Sequence, residues 1–369
     1  MFSVSARSIK SLIESSGPTH LTAYLVNNND LGELENQISR VIEKAHRLLD
    51  PVLTAEQVRK FLSPIVSLSK NQELLYKFKS NIGLFRTRND FRIINIPVTV
   101  DETCIIADSF HIKPLLRWMQ MDRDFFLLGI NKDQASLHAG NLQKLKRLGD
   151  FPISEQISQH PSLLVEKINS WLSDQIPGNS EVIRPRIYVY GSRGLTEPFS
   201  KSIGDLNFYR LIDLVIENSN PSQSAAEHVR KILKMEAKWS LEMSLSEFRW
   251  AENTEHNKRN IFQIAQAAIQ GRVRKLLIAD GVKIFGKIDK KTGGLKVHPG
   301  EINHEDDDIL DDLSQLVLAH GGNVVVAPQE EIPKGRVLQA ILNNQDSEPE
   351  LQISKTERTS QTSLAQEHQ

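Results

Sequence analysis

Cysteine is nearly absent from the 369-residue sequence: Cys104 is the single one, so no disulfide can form within the chain. This usage is typical of a reducing compartment. A long apolar run is missing as well, because no stretch approaches the roughly 18 apolar residues of a membrane-spanning helix. The N-terminus has no apolar signal-peptide core. These absences predict a cytoplasmic protein.

An excess of charge of either sign is also lacking. The 45 Lys and Arg residues and the 46 Asp and Glu residues give a formal net charge of −1. A chain this neutral is not attracted as a whole to polyanions, so we expect neither DNA nor a membrane as a partner, although a local basic face remains compatible with RNA. Hydrophobic content of 39% indicates a globular protein, and the length indicates two or three domains.

Residues 1–112 read as one α/β unit. His20–Val26 has the composition of a short strand, and the apolar spacing from Leu34 to Leu49 predicts a helix. Thr54, with a glutamine three positions later, predicts the capped start of a second helix. Ile82–Val98 reads as a hairpin.

Residues 113–250 read as a second α/β unit. Strands are predicted at Asp124–Ile130, Ala135–Gly140 and Arg186–Gly191. The chain from Asn141 to Pro185 is polar, with one predicted helix that begins at Pro161. A helix is expected to begin near Thr196. A loop over Asn218–Val229 is expected to cap a long helix that reaches Trp250.

Residues 251–343 alternate between helical and strand patterns, which predicts an α/β/α sandwich. A helix closed by Gly271 precedes two strands, and a second helix precedes the buried strand NVVVAP. Val337–Leu342 fits a last strand or a short helix. Residues 344–369 are polar, with few large apolar side chains, and are expected to form a disordered tail.

Two glycine-containing segments are compared with phosphate-binding loops. Gly321 and Gly322 follow a predicted helix and precede a strand, whereas phosphate loops have the reverse order, so we interpret them as a helix end. Tyr190–Phe199 has the strand–glycine–helix order, but it lacks the lysine-containing phosphate-loop pattern and the G-x-G-x-x-G pattern. A plain β–α turn is the favoured interpretation.

Two further groups are weighed as catalytic or metal sites. The acidic run Glu301–Asp312 offers oxygens to a divalent cation, but it lacks EF-hand spacing and lies at a helix start, which favours capping. Cys104, Asp108, Ser109 and His111 include types used by nucleophilic enzymes, but closeness in sequence does not make a catalytic triad. No pattern indicates a zinc site, and we expect no catalytic residue, metal or cofactor.

Basic residues gather in three places that are compatible with an RNA- or ribosome-facing side. The alternative interpretation is ordinary solvated surface. The groups are Lys144, Lys146 and Arg147; Arg272, Arg274 and Lys275; and Lys287, Lys290, Lys291 and Lys296.

An ordered set of segments along the chain resembles a known protein family. AAIQGRVRKLLIADG, DDDILDDLSQLVLAHGGNVVVAP and IPKGRVLQAIL resemble the third domain of the archaeo-eukaryotic peptide-chain release factors and Pelota, and most closely that of the bacterial archaeo-eukaryotic release factor family. SFHIKPLLRWMQMDRDFFLLGINKDQASLHAGN is similar to the start of that family's middle domain. LTAYLVNN, the Leu34–Leu49 helix and IGLFRTRNDFRIINIPV match its divergent first domain. The set runs in order over residues 18–343.

The resemblance implies an α/β protein of three domains followed by the tail at 344–369. They are a divergent N-terminal α/β domain (1–112), a ribonuclease H-like middle domain (113–250), and a C-terminal α/β/α sandwich of the kink-turn RNA-binding ribosomal-protein type (251–343). The family's hydrolytic members carry a Gly-Gly-Gln loop in the middle domain. The corresponding residues 138–160 contain no Gly-Gly-Gln.

The resemblance also implies contacts for the C-terminal domain. Relatives touch kink-turn RNA or a partner GTPase at positions that correspond to Ala279–Asp280 and the loop Pro328–Arg336. Lys334 and Arg336 would then meet phosphates, although Glu330 and Glu331 argue against a surface that binds RNA throughout. A protein partner of this domain is therefore also expected.

Three functions follow as alternatives. The first is a non-hydrolytic release-factor-like protein that binds the ribosome, tRNA or structured RNA, in ribosome rescue or a stress response. The second is a peptidyl-tRNA or RNA hydrolase that uses another loop, with Asn141 and Gln143 as candidates. The third is a protein-interaction scaffold without a role in RNA binding. For the first, the expected RNA-binding residues are Lys144, Lys146, Arg147, Arg272, Arg274, Lys275, Lys334 and Arg336.

Overall fold

The structure is a computed structural model with a mixed α/β architecture and several sheets. The expected tail at 344–369 lies outside the residues that it describes. Those residues are 11–15, 17, 19–96, 98–121, 124–142, 144–175, 186–203, 209–212, 220–289, 291–298 and 307–343.

The first unit is an antiparallel sheet with helices on one face. The sheet order is β3-β2-β1-β4, and the central strand β1 is buried along its whole length. Leu21, Ala23 and Leu25 face the helices, whereas Tyr24 faces the opposite side. The elements are β1 (His20–Leu25), α1 (Leu31–Leu49), α2 (Ala55–Ser69), α3 (Gln72–Lys77), β2 (Asn81–Arg86), β3 (Phe91–Ile96) and β4 (Thr103–Ala107).

Capping side chains set the starts of these helices. Asp30 and Asn71 each accept a backbone N–H three residues further on. The box predicted at Thr54 is confirmed: its hydroxyl accepts from Gln57 N, and the Gln57 side chain accepts from Thr54 N. Local side-chain chemistry therefore fixes where each helix begins.

The middle unit is a five-stranded mixed sheet in the order β7-β6-β5-β8-β9. Strands β5, β6 and β7 are antiparallel neighbours, and β8 and β9 run parallel to β5. The elements are β5 (Phe125–Ile130), β6 (Gln134–Gly140), β7 (Leu145–Pro152), α5 (Glu155–Gln159), α6 (Ser162–Gln175), β8 (Arg186–Gly191), α7 (Arg193–Ile203), β9 (Tyr209–Leu211) and α8 (Pro221–Trp250).

Three expectations for this unit are wrong. Strand β7 was expected as polar chain, because it lies at the sheet edge and Phe151 is its one buried residue, so the sequence shows no apolar alternation there. Helix α7 begins at Arg193 rather than near Thr196. The loop expected over 218–229 is helical from Pro221, since Asn220 caps Gln223 N and proline suits the first helical turn.

The third unit has a four-stranded sheet with helices on both faces. The sheet order is β10-β16-β11-β15. Leu276 and Ile278 face α9 and α10, whereas Leu277 and Ala279 face Leu245 of α8. The elements are β10 (Asn257–Lys258), α9 (Ile261–Ile269), β11 (Val273–Ala279), β12 (Phe285–Ile288), β13 (Leu295–Val297), β14 (Asp307–Asp308), α10 (Ile309–Ala319), β15 (Asn323–Ala327) and β16 (Leu338–Leu342).

Two details of this unit answer earlier expectations. The ambiguous segment at 337–342 is a strand, β16. The glycine pair is a helix end, as predicted: Gly321 has φ +79° directly after α10. A Cβ at Gly322 would lie 2.6 Å from Val317 Cγ1, so this position needs glycine for a different reason, close packing.

Helix α8 belongs to two units. Its first half buries Ala226, Val229 and Leu233 against the middle sheet, and its last turns bury Leu245 and Phe248 against the third sheet. The outer layer of the third unit is therefore supplied by the chain that precedes it.

Helix α4 (Lys113–Met121) covers the edge of the third sheet. The Gln120 side chain donates to Val326 O at 2.9 Å and accepts from Val326 N at 2.7 Å. Because β15 is an edge strand, this pair satisfies backbone groups that would otherwise be unpaired there. Arg117 of the same helix forms an ion pair with Asp280.

A buried polar junction connects the first and third units. Asp311 accepts the backbone amides of Ile112 at 2.9 Å and Lys113 at 2.5 Å, at the start of α4. Lys113 Nζ lies 2.5 Å from Asp308 Oδ2. Ser109 donates to Asp312 at 3.1 Å. The acidic side chains therefore cap two helices, α10 and α4, which extends the predicted capping role.

Burial shifts the pKa values of two side chains in this junction, Asp311 and His111. Removal from water, with repulsion from Asp308, raises the pKa of Asp311 to about 8. The same removal lowers the pKa of His111 well below its usual range, with Lys113 adding repulsion. His111 Nδ1 lies 3.5 Å from Asp311 Oδ1.

We expect the Asp311→Asn substitution to remove a pH dependence of stability between pH 6.5 and 8. A carboxyl whose folded pKa is raised stabilises the fold fully at low pH, and that contribution is lost as the pH rises toward 8. His111, with its lowered pKa, gives a slope of opposite sign that fades as the pH rises above about 6.5, so the Asp311 slope is measured most cleanly from about pH 7 to 8. Urea unfolding at several pH values measures the slope, which is at most about 1.4 kcal/mol per pH unit for one proton.

The exposed Asp133→Asn substitution is the matched control and should keep the slope of the unaltered protein. An Asp311→Asn variant with that same slope would show that Asp311 does not titrate in this window.

Candidate nucleic-acid interface

The first predicted basic group lies on the edge strand of the middle sheet. Lys144, Lys146 and Arg147 are all exposed, at the start of β7. Asn141 closes the turn that precedes them. Its backbone N–H donates to Lys144 O at 3.0 Å, and its side-chain Oδ1 accepts from Lys144 N at 2.9 Å. The lysines therefore project from a defined turn.

Helix α8 packs against this turn. Arg230 Nε donates to Asn141 O at 2.9 Å, and Leu145 packs with Val229 and Leu233. The next turns of the helix carry exposed lysines at 231, 234 and 238. Cations from β7 and α8 thus occur on neighbouring elements, and together they form what we call the basic face: Lys144, Lys146, Lys231, Lys234 and Lys238.

The three α8 lysines were not among the predicted RNA-binding residues. They are dispersed in HVRKILKMEAKW, within the long helix expected to reach Trp250, and do not form a compact basic group in the sequence. In a helix, positions 231, 234 and 238 are three and four residues apart and lie on adjacent turns. The available signal was this spacing combined with the long helix expected to reach Trp250.

Arg147 forms an ion pair with Asp150 of its own strand. Its guanidinium lies 2.6 Å from Asp150 Oδ1, and this bond, followed by one from Ser136, lowers the pKa of Asp150. His138 is opposite Arg147 in the sheet, and burial lowers its pKa. Arg147 therefore contributes less free positive charge than Lys144 or Lys146.

The predicted cations of the third unit are mostly paired with carboxylates near the end of α8. Glu247 contacts Arg274 and lies 2.7 Å from Lys275 Nζ. Glu252 lies 2.9 Å from both Lys334 Nζ and an Arg336 guanidinium nitrogen. Hydrogen bonds from Lys334 and then Arg336 lower the pKa of Glu252. Arg274 and Lys275 thus connect α8 to the third sheet, and Lys334 and Arg336 connect the turn after α8 to the loop before β16.

Arg272 differs from its neighbours. It is exposed, and within the described part of the chain its guanidinium has no ion-pair partner. The other basic group is spread over a hairpin, where Lys287 and Lys296 are opposite each other. Lys290 lies outside the described residues.

The two segments implied as partner contacts do come together. Ala279 N donates to Val337 O at 2.8 Å, and Asp280 N donates to Ala327 O at 2.7 Å. Ala279–Asp280 and the loop Pro328–Arg336 therefore share one end of the sheet. At this end Asp280 is already paired with Arg117.

The alternative catalytic groups have structural partners. Cys104 is buried, with its thiol 3.8 Å from Val41 O, and Ser109 donates to Asp312. Asn141 closes the β6–β7 turn, and Gln143 lies outside the described residues. The turn at Tyr190–Phe199 leads into α7, where Arg193 and Glu197 form an exposed pair at 3.7 Å.

The described residues provide neither a metal-binding group nor a membrane-spanning helix. Of the acidic run Glu301–Asp312, residues 301–306 lie outside the described residues. Within the described residues, no group of three or more His, Cys, Asp or Glu side chains could bind a metal ion. None of the described helices has the length and apolar character needed to cross a membrane.

Comparison with known proteins gives structural similarity at low identity. No family model and no curated protein matches the chain. The chain is similar to an archaeal translation termination factor, aRF1, with 15% identity, 92% of this chain and 97% of that chain covered, and a TM-score of 0.26. A ribosome-bound archaeal Pelota has 13% identity, coverages of 69% and 72%, and a TM-score of 0.42. Saccharomyces cerevisiae Dom34 has 13% identity, coverages of 75% and 89%, and a TM-score of 0.40.

We expect the Arg230→Met substitution to loosen the turn that carries Lys144. Methionine keeps the aliphatic packing but loses the hydrogen bond to Asn141 O, at a cost of about 1 kcal/mol in the free energy of unfolding. Urea unfolding measures that loss, and hydrogen exchange at the Lys144 amide, which donates to Asn141 Oδ1, should become faster.

Lys231→Met is the matched control, since Lys231 is exposed and adjacent in sequence. It should change the free energy of unfolding by less than about 0.5 kcal/mol. Equal effects of the two substitutions would contradict a specific role for Arg230.

Proposed function

We propose that the protein is a non-hydrolytic, release-factor-like protein that binds tRNA, the ribosome or another structured RNA, in ribosome rescue or a stress response. The observation that carries the proposal is the basic face on β7 and α8, where five exposed lysines have no ion-pair partner among the described residues. Phosphate groups are bound by such uncompensated cations.

The order of sheet units along the chain supports this proposal. An antiparallel sheet with helices comes first, a mixed five-stranded sheet follows, and a sheet with helices on both faces comes last. In the middle sheet, three antiparallel strands are followed by two parallel ones, which supports the ribonuclease H-like assignment. We keep 1–112, 113–250 and 251–343 as the proposed domains.

The missing motif supports the non-hydrolytic part of the proposal. The sequence contains no Gly-Gly-Gln. The candidate substitute Asn141 is used to close a turn and to accept from Arg230. The Asn141 side chain, whose Oδ1 already accepts the backbone N–H of Lys144, is poorly placed to position water at an ester.

The proposed RNA-binding residues form two groups, according to whether a carboxylate already pairs with them. Lys144, Lys146 and Arg272 are exposed and are proposed to contact phosphates directly, together with the three α8 lysines. Arg147, Arg274, Lys275, Lys334 and Arg336 would have to exchange a carboxylate for a phosphate. We propose that these five contribute less to affinity.

We expect reversal of charge at Lys144, Lys146, Lys231 and Lys234 to glutamate to abolish RNA association. The first measurement is crosslinking to RNA in cells, with sequencing of the recovered RNA, and enrichment of tRNA or one ribosomal helix is the expected result. In vitro, the slope of log affinity against log salt should decrease by about 0.7–0.9 for each phosphate that the variant no longer neutralises.

A variant with the same change in net charge is the control. Arg59, Lys60, Lys70 and Lys79 are exposed cations of the first unit, and their replacement by glutamate should leave RNA recovery unchanged. Background RNA recovery with the unaltered protein would reject the RNA-binding function. Equal losses in both variants would reject the basic face as its site.

A further inference from the structure

A stripe of large apolar side chains is exposed along α8. Met235, Trp239, Met243 and Trp250 are 71%, 70%, 52% and 81% exposed. Spacings of four, four and seven residues place all four on one face of the helix. A soluble protein rarely leaves such a contiguous stripe uncovered, so it marks a docking surface. We call these four residues the apolar stripe.

The stripe lies between the two units that α8 joins. The buried residues of the helix end at Leu233 on the middle-sheet side and resume at Leu245 on the third-sheet side. No residue from Lys234 to Ser244 is buried. The side chains of Met235, Trp239 and Met243 in this part of the helix are covered by neither sheet.

Lysines border the stripe on the same helix. Lys231, Lys234 and Lys238 are exposed, and their ammonium groups have no ion-pair partner among the described residues. A complementary occupant therefore carries acidic groups next to apolar ones. A positively charged or purely polar segment would not match this surface.

The chain leaves the third sheet in the direction of the stripe. Three contacts relate the chain from Arg336 through β16, and the neighbouring β11, to α8 and the turn that follows it. Arg336 lies 2.9 Å from Glu252, Gln339 donates to Phe248 O at 3.2 Å, and Lys275, opposite Ile341, donates to Ser244 at 3.2 Å. Residues further along this chain therefore contact earlier residues of the helical region, from residue 252 back to residue 244. The end of β16 is therefore nearest the part of α8 that leads to Met243 and Trp239.

The sequence beyond Asn343 has the required chemistry. Asp346, Glu348 and Glu350 precede Leu351 and Ile353, and no basic residue occurs before position 355. An extended chain covers roughly 3.3–3.6 Å per residue, so eight residues reach about 26–29 Å. The helix rises about 1.5 Å per residue, which puts residue 235 roughly 14 Å from residue 244 along the axis. The segment is long enough.

We propose that the chain's own segment 344–353 docks on the apolar stripe and its lysine border. As the segment runs back along α8, Asp346, Glu348 and Glu350 lie against Lys238, Lys234 and Lys231 in that order, and the chain that carries them passes over Trp239 and Met235. The docking itself requires no RNA. Because it covers three lysines of the basic face, it also competes with RNA, and this competition rests on the function proposed above.

Tryptophan fluorescence of the full-length protein tests the docking. Asp346→Asn, Glu348→Gln and Glu350→Gln together should increase quenching by acrylamide at low salt, and the increase should be absent when Trp239 is replaced by phenylalanine. Glu357→Gln with Glu367→Gln, which lie outside the docking segment, should change nothing. Charge reversal of the three acidic residues to lysine should be rescued by reversal of the three α8 lysines to glutamate.

Unchanged quenching in the neutralised variant would overturn the docking. Protection of Trp239 that depends on protein concentration would also overturn it, because a second copy would then be the occupant. RNA affinity is measured separately: the neutralised variant should bind the same tRNA more tightly than the Glu357/Glu367 control. Confirmed docking with equal affinities would reject only the competition, whereas failure of all RNA binding would reject the proposed function and leave the docking intact.

Discussion

The arrangement of the first and third units depends on the buried carboxyl group of Asp311. It accepts two backbone amides at the start of α4, 199 and 198 residues away in sequence. That contact positions α4, so that Gln120 covers the edge of β15 and Arg117 reaches Asp280. A buried polar group left without its partners is costly, so this junction is expected to form as a unit rather than one hydrogen bond at a time.

Helix α8 then determines how the middle unit is attached. Glu236, near the middle of the helix, pairs with Arg186 and Arg210 of the middle sheet. Glu247 pairs with Arg274 and Lys275 of the third sheet, and Glu252, just after the helix, pairs with Lys334 and Arg336 of the loop before β16. These carboxylates therefore hold the second half of α8 to both units, whereas Met235, Trp239 and Met243 remain exposed. The same carboxylates that secure the helix also neutralise most of the cations that the sequence presents as an RNA-binding surface of the third unit.

The sequence predicts local structure well and long-range pairing poorly. The capping box at Thr54, the glycine end at Gly321 and the strand β1 follow from side chains within a few residues. Strand β7 was not predicted, because Phe151 is its one buried residue and no apolar alternation marks it. The partner of Asp311 is nearly 200 residues away, and a carboxylate that pairs with Lys334 cannot be distinguished in sequence from a solvated one.

Whether a cation is paired with a carboxylate also determines where an anionic partner can bind this nearly neutral protein. A formal net charge of −1 does not describe a uniform surface, because acidic side chains are used for pairing at the third sheet and leave uncompensated lysines on β7 and α8. The free energy available to an anionic partner depends on cations that have no competing carboxylate. The lysines that run alongside exposed Trp239 meet that condition, and they offer a partner both charge and an aromatic surface. Recognition at this helix therefore favours segments in which negative charge and apolar or aromatic groups alternate over short distances.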